Sequence, residues 1–71
     1  MKTRLKELRK ANHITQIALQ IATGIDQALL SKYENGQRLP SVENLLILAE
    51  FYQVGLDYLL CRTDDPVIHH L

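Results

Sequence analysis

The sequence predicts an all-α protein of five helices. In each of five segments, apolar residues recur three or four positions apart, the spacing that places them on one face of a helix. Residues 15–36 contain two short helical segments separated by Gly24, and the pair Asn35-Gly36 then gives a helix stop signal. We expect one domain over residues 1–62 and a short C-terminal tail over residues 63–71.

The first predicted helix covers residues 2–11. Leu5 and Leu8 lie three positions apart and form its apolar stripe, while charged side chains occupy the opposite face. Asn12 and His13 follow, and both residue types are enriched among non-glycine residues with positive φ. We expect this pair to end the helix, with the His13 ring in solvent rather than acting as a ligand or a pH switch.

The second and third predicted helices cover residues 15–23 and 26–35. Thr15 and Asp26 can each accept a hydrogen bond from a free backbone amide in the first turn, so both are expected as N-caps. Gly24 ends the second helix because glycine adopts a left-handed conformation at little steric cost. Two helices joined by such a short turn are typical of a helix-turn-helix.

The fourth predicted helix starts after Pro40, which forces the residue before it into an extended conformation, and Ser41 is its expected N-cap. The fifth runs from Leu56 to about Cys61. Apolar side chains of the fourth helix are expected to form one wide inward face: Val42, Leu45, Leu46, Leu48, Ala49 and Tyr52.

The predicted core takes apolar side chains from all five helices: Leu5, Leu8, Leu19, Leu30, Leu45, Leu48, Ala49 and Leu59. Ile47, Phe51 and Tyr58 remain outside that set. They form either a subunit interface or a locally apolar surface. Oligomerisation would help a 71-residue domain that has neither a disulfide nor a metal motif to support its small core.

The composition excludes several classes of protein. Cys61 is the only cysteine and cannot form an internal disulfide, which favours a reducing, cytoplasmic setting. No apolar run approaches the length of a membrane span, so no membrane association is expected. There is no candidate catalytic triad, metal-ligand cluster or phosphate-binding glycine-rich loop, so we expect no enzyme and no cofactor. His69-His70 has no neighbouring partner residues that would make it a metal site.

The charge is distributed unevenly along the chain, although the formal net charge is zero. Residues 1–40 contain seven basic and three acidic residues, a net charge of +4, whereas residues 41–71 contain one basic and five acidic residues, a net charge of −4. The basic half contains the two paired helices. Clustered basic residues on one part of a domain are typical of proteins that bind nucleic acid.

The central stretch resembles the Cro/CI-type (XRE-family) helix-turn-helix of phage repressors. The matching residues are Ile14-Thr15-Gln16, Gly24-Ile25-Asp26, Leu30-Ser31, Glu34-Asn35-Gly36, Arg38 and Pro40. The similarity covers about residues 4 to 60. It implies a five-helix lambda-repressor-like domain and a sequence-specific transcriptional regulator, a repressor by this resemblance, that binds double-stranded DNA as a homodimer.

The resemblance also implies roles for individual residues. Residues that match base-contacting positions are Gln27, Ala28, Ser31 and Lys32 on the third helix, the recognition helix that enters the major groove. Residues that match phosphate-contacting positions are Gln16, Asn35, Gln37 and Arg38. Arg9 and Glu34 match a buried ion pair that joins the first and third helices.

Several positions depart from the pattern of the family. Gln20 stands where relatives tend to have alanine, and Ile17 and Ile21 stand where they often have charged residues. We expect partial burial of these two isoleucines, the alternative being an exposed apolar strip. Asp26 replaces the usual Ser or Thr, and capping is its expected role. These departures keep a second function open, that of a protein-interaction module or antitoxin-like regulator with weak DNA binding.

Overall fold

A computed structural model of the chain describes residues 2–68, which form five α-helices and no β-strand. The prediction of an all-α, five-helix protein is confirmed. The helices are, in chain order, α1 (Leu5–Ala11), α2 (Gln16–Thr23), α3 (Gln27–Glu34), α4 (Val42–Tyr52) and α5 (Leu56–Leu59). Helix α2 packs against α3, α1 packs against α3, and α4 packs against α2 and α5. The central pair α2–α3 is therefore supported by α1 and α4.

The core joins side chains from all five helices and from two connections: Leu5, Leu19, Ile25, Leu30, Tyr33, Leu48, Ala49, Val54 and Leu59. Six of the eight predicted core residues are confirmed, while Leu8 and Leu45 are only partly buried and pack against the core. Ile25 and Val54 were missed. Both lie outside the helices, where helical periodicity carries no information about burial.

The expected partial burial of Ile17 and Ile21 is wrong, since their exposed fractions are 55% and 79%. Helix α2 instead buries Leu19, which is 2% exposed. Two residues advance a helix by about 200°, so burying Leu19 directs both isoleucines away from the core. The outer face of α2 is consequently an exposed apolar strip.

Helix α4 also buries a narrower face than predicted. Leu48 and Ala49 are buried, but Val42 and Leu46 are 72% and 53% exposed. These two residues lie four positions apart on one exposed flank of α4, outside the core.

All five helices are followed by a residue in the left-handed conformation: His13 (φ 56°), Gly24 (φ 78°), Gly36 (φ 72°), Gln53 (φ 56°) and Cys61 (φ 61°). After α1, α3, α4 and α5, two successive backbone amides fold back onto carbonyl groups of the last turn. This is the Schellman arrangement, which satisfies carbonyls that have no partner within the helix. His13 therefore ends α1, as predicted, and Cys61 ends α5 earlier than predicted.

Arg4 explains why α1 begins at Leu5 and not at Lys2. Its backbone N–H donates to the Leu59 carbonyl at 2.9 Å, so the chain before Leu5 is held against α5. Its side chain donates to the carbonyl oxygens of Tyr58 (2.8 Å) and Thr63 (3.1 Å) and to Asp64 Oδ1 (2.8 Å). The Arg4 guanidinium carbon also lies 4.3 Å from the centre of the Tyr58 ring.

Residues 63–68 of the predicted tail fold back along the domain. The backbone N–H of Gly55 donates to the Pro66 carbonyl at 3.2 Å. A Cβ atom at Gly55 would lie only 3.2 Å from the Val67 carbonyl oxygen, so the absence of a side chain permits this close approach. His69 and His70 lie outside the described residues.

Arg9 and Glu34 join α1 to α3 by a buried ion pair. Arg9 Nε donates to Glu34 Oε2 at 2.8 Å, and Arg9 Nη2 donates to Oε1 at 3.0 Å. The exposed fractions of the two side chains are 15% and 2%. Arg9 Nη1 also donates to the Ile14 carbonyl at 2.9 Å. The hydrogen bond to Glu34 raises the pKa of Arg9 above its ordinary value, so Arg9 stays charged in this site.

Tyr52 packs beside this ion pair. Its hydroxyl oxygen is buried without a hydrogen-bond partner, and burial raises the pKa of Tyr52 to about 12. The nearby carboxylate of Glu34 contributes to the rise. Tyr52 therefore stays neutral and places no second negative charge next to Glu34.

We predict that Glu34→Ala lowers the free energy of unfolding by about 3 kcal/mol or more, because it leaves Arg9 charged in a largely buried site. Urea denaturation followed by circular dichroism measures the effect. Glu7→Ala is the matched control, because Glu7 is 64% exposed and lies 3.7 Å from Arg4 Nη1. We expect the control to change stability by at most about 1 kcal/mol. Equal losses in both variants would contradict the structural role of the buried pair.

Candidate nucleic-acid interface

Helices α2 and α3 are joined by a turn whose geometry follows from four residues. Gly24 ends α2 with φ 78°. Ile25 is buried beneath the turn, and its backbone N–H donates to Thr23 Oγ1 at 3.2 Å. Asp26 caps α3, since its Oδ2 accepts a hydrogen bond from the Ala28 N–H at 3.0 Å. The Ile25 side chain thus anchors the turn in the core, and side-chain hydrogen bonds stabilise the turn where it leaves α2 and where it enters α3. These contacts hold the two helices in a defined orientation.

The residues expected to contact bases share one face of α3. Gln27, Ala28, Ser31 and Lys32 fall within an arc of about 140° around the helix axis. Ala28 and Lys32 are exposed, and Gln27 and Ser31 are half-buried. The opposite face holds the buried Leu30 and Tyr33. The structure therefore brings the four predicted residues together on the outer surface.

A chain of side-chain hydrogen bonds links this face to the buried ion pair. Gln27 Nε2 donates to Gln16 Oε1 at 2.6 Å, and Gln16 Nε2 donates to Glu34 Oε1 at 3.2 Å. Glu34 also receives the two bonds from Arg9. Each step removes rotational freedom from the next side chain. Gln27 is consequently held in one orientation by groups of α1, α2 and α3.

Gln20 has a role that the sequence interpretation missed. Its Oε1 accepts a hydrogen bond from the backbone N–H of Gln27 at 2.7 Å, across the contact between α2 and α3. The only sequence signal was its spacing, since Gln20 lies four residues after Gln16 on the same face of α2.

The residues expected to contact phosphates lie at the start of α2 and after the end of α3. Gln16 is the first residue of α2, where unpaired amides and the helix dipole favour an anion. Asn35, Gln37 and Arg38 are exposed and follow the end of α3. Asn35 Nδ2 lies 3.4 Å from Ser31 Oγ and donates a long hydrogen bond to it. Gln16 is therefore bonded to Gln27 at the start of α3, and the other three residues follow the end of the same helix.

The basic residues of the N-terminal half divide into two groups. The side chains of Arg4 and Arg9 are engaged in ion pairs within the domain. The remaining basic side chains are exposed to solvent: Lys2, Lys6, Lys10, Lys32 and Arg38. The positive charge that an external anion can meet therefore comes from this second group.

The three candidates for a subunit interface occupy different environments. Phe51 is 40% exposed and packs edge to face against Tyr52, with 5.1 Å between ring centres. Ile47 is partly buried against the core. Tyr58 was expected to lie outside, but it is half-buried and one side of its ring is covered by Arg4. Phe51 is thus the most accessible of the three.

Residues 2–68 bring together no group of three or more His, Cys, Asp or Glu side chains that could hold a metal ion. Within the same described part of the chain, none of the helices is both long and apolar enough to cross a membrane.

Comparison with known proteins identifies the family. Residues 5–59 match a family model described as helix-turn-helix. The chain is 41% identical over 63 residues to YobD of Bacillus subtilis (strain 168), an uncharacterized HTH-type transcriptional regulator. The aligned residues make up 89% of this chain and 56% of YobD. It is 37% identical over 67 residues to the cryptic phage CTXphi transcriptional repressor RstR of Vibrio cholerae, covering 92% of this chain and 60% of RstR.

A third relative is the HTH-type transcriptional activator BcrR of Enterococcus faecalis, 32% identical over 57 residues, which cover 80% of this chain and 28% of BcrR. This chain therefore spans only 28% to 60% of the length of these three relatives. A search of solved structures found no significant match. The family match spans all five helices and the turn between α2 and α3, so the chain belongs to the helix-turn-helix family, as its Cro/CI-type motif predicts.

Proposed function

We propose that this protein is a transcriptional regulator that binds double-stranded DNA and places α3 in the major groove. The observation that carries the proposal is the state of the Gln27 amide. After donating one N–H to Gln16, this amide retains its Oε1 acceptor and one N–H donor. That is the pair a bidentate contact with adenine requires.

The surroundings of Gln27 support the same docking. Gln16 Nε2 gives one of its two hydrogens to Glu34 and keeps the other for a phosphate oxygen. Arg38 and Lys32 add exposed positive charge beside the groove. Phosphate contacts position a protein on the duplex, and base contacts supply the sequence information. The transcriptional regulators among the relatives support this assignment.

Within this proposal the protein acts as a homodimer on a palindromic site with half-sites about 34 Å apart. It works in the cytoplasm, which the free thiol of Cys61 suits, and it has no enzymatic activity. Repression is the direction we propose. An activator is also among the relatives, so reporter transcription with and without the protein is the measurement that decides the direction.

A second candidate function rests on the exposed face of α2. Ile17 and Ile21 are largely exposed, and Ala18 and Ala22 beside them are exposed too. Exposed apolar patches often mark contacts with protein partners. A protein-interaction module would show little DNA binding at any salt concentration, whereas DNA binding that depends on phosphate contacts weakens steeply as salt rises. Gel shift in low and high salt separates the two functions.

We predict that Gln27→Ala costs about 1–3 kcal/mol on the best DNA site and relaxes the preference at one base pair in each half-site. The site is obtained by selecting bound DNA from a random pool. The selection is repeated with the variant after circular dichroism has shown that it is folded. An unchanged selected sequence would argue against base reading by Gln27.

We predict that Arg38→Ala weakens binding to all sequences similarly. The slope of log affinity against log salt concentration should become less steep by about one unit per protomer, because one phosphate contact is lost. Arg62→Ala is the matched control, since its side chain is 75% exposed and lies beyond the matched region of the family. A flatter slope in the control alone, or an altered base preference in Arg38→Ala, would refute this docking.

We predict a dimer in sedimentation at high micromolar concentration, and a shift towards monomer in Phe51→Ser. Loss of this exposed aromatic side chain removes apolar area from the proposed interface. Ile21→Ser is the matched control, because Ile21 is even more exposed but lies on α2. If the wild type stays monomeric at this concentration, no dimer forms before the protein reaches DNA.

A further inference from the structure

Gln20 caps α3 from a neighbouring helix. Gln27 is the first residue of α3, and its backbone N–H has no acceptor within that helix. The local cap, Asp26, accepts from the N–H of Ala28. The N–H of Gln27 donates to Gln20 Oε1 at 2.7 Å, and Gln20 is half-buried at the α2–α3 contact.

Gln27 is therefore held at two points by one face of α2. Gln20 holds its backbone N–H at 2.7 Å, and Gln16 holds its side-chain amide at 2.6 Å. Gln16 and Gln20 lie four residues apart, so their side chains leave α2 on the same side, one turn from each other. The hydrogen bond to Gln20 fixes the position of the Gln27 backbone, and the hydrogen bond to Gln16 fixes the direction of the Gln27 side-chain amide. Neither bond alone fixes both the backbone position and the amide direction.

We infer that Gln20 is a positioning residue that determines how accurately Gln27 meets its base pair. This inference rests on the proposed function, in which Gln27 reads DNA. A bidentate contact needs a donor and an acceptor placed together against one base edge. Without the bond from Gln20, the backbone of the first turn of α3 has no direct hydrogen bond to α2, and its position depends on the Gly24 turn, on side-chain packing and on the bond between the Gln27 and Gln16 side chains. Gln20 touches neither a base nor a phosphate in this arrangement, so its effect is on discrimination between sequences.

The experiment uses the full chain and three variants. Gln20→Met keeps the length of the side chain but removes the acceptor, Gln20→Ala removes both, and Gln20→Glu keeps an acceptor. Affinity is measured for the best selected site and for sites altered at the base pair that Gln27 reads. We expect Gln20→Met and Gln20→Ala to reduce discrimination by about fivefold or more, and Gln20→Glu to preserve it. The salt dependence of the Met and Ala variants should equal that of the wild type.

Gln37→Met is the matched control, because it makes the same chemical change at an exposed residue of the proposed phosphate-contacting loop. We expect it to weaken binding to all sites without changing discrimination. Amide hydrogen exchange gives a readout that needs no DNA. The N–H of Gln27 should exchange faster in Gln20→Met than in the wild type, while the N–H of Ala28, capped by Asp26, should not change.

The outcomes separate this inference from the proposed function. If the wild type discriminates between sites and Gln20→Met discriminates equally well, the positioning role is refuted. If the Gln27 amide exchanges at the same rate in both proteins, the hydrogen bond that carries the inference is absent. If the wild type prefers no DNA sequence, the proposed function fails and the role in discrimination falls with it, whatever the exchange rates show. Faster exchange of the Gln27 amide together with lost discrimination supports the inference.

Discussion

The buried ion pair between Arg9 and Glu34 is the interaction on which the arrangement of this domain depends. Glu34 is the last residue of α3, where the helix dipole disfavours a carboxylate, and its side chain is only 2% exposed. Two bonds from Arg9 and one from Gln16 compensate for that position. Three helices therefore meet at one carboxylate. Removing any of these donors leaves part of a buried charge unsatisfied.

Helix α3 is held at both ends by polar contacts. The ion pair fixes its C-terminal end, while Asp26 and Gln20 bond the first free amides at its N-terminal end. Buried ion pairs contribute little net stability once desolvation is included, so we interpret this one as orienting α3. An eight-residue helix is too short to be stable alone, and its direction must come from its neighbours. The same contacts leave the outer face of α3 exposed.

The apolar surface of the domain follows from its small size. A chain of 71 residues cannot bury every apolar side chain of five short helices. Ile17 and Ile21 on α2 and Val42 and Leu46 on α4 stay exposed because each helix turns one stripe towards a single core. Phe51 lies five residues after Leu46, about 140° around the helix, so these residues belong to different faces of α4.

Local sequence signals determined the helices, their caps and the membership of the family. Thr15, Asp26 and Ser41 act through backbone amides two or three residues away, and Gly24 acts through its own φ, so a single chain is enough to recognise them. Tertiary structure decided which faces are buried, where α1 begins and where α5 stops, because these depend on partners distant in sequence. Arg4 contacts Asp64 sixty residues away, and Gln20 bonds Gln27 only once the turn has brought α2 and α3 together. No periodicity in the sequence encodes either contact, since both require the folded chain.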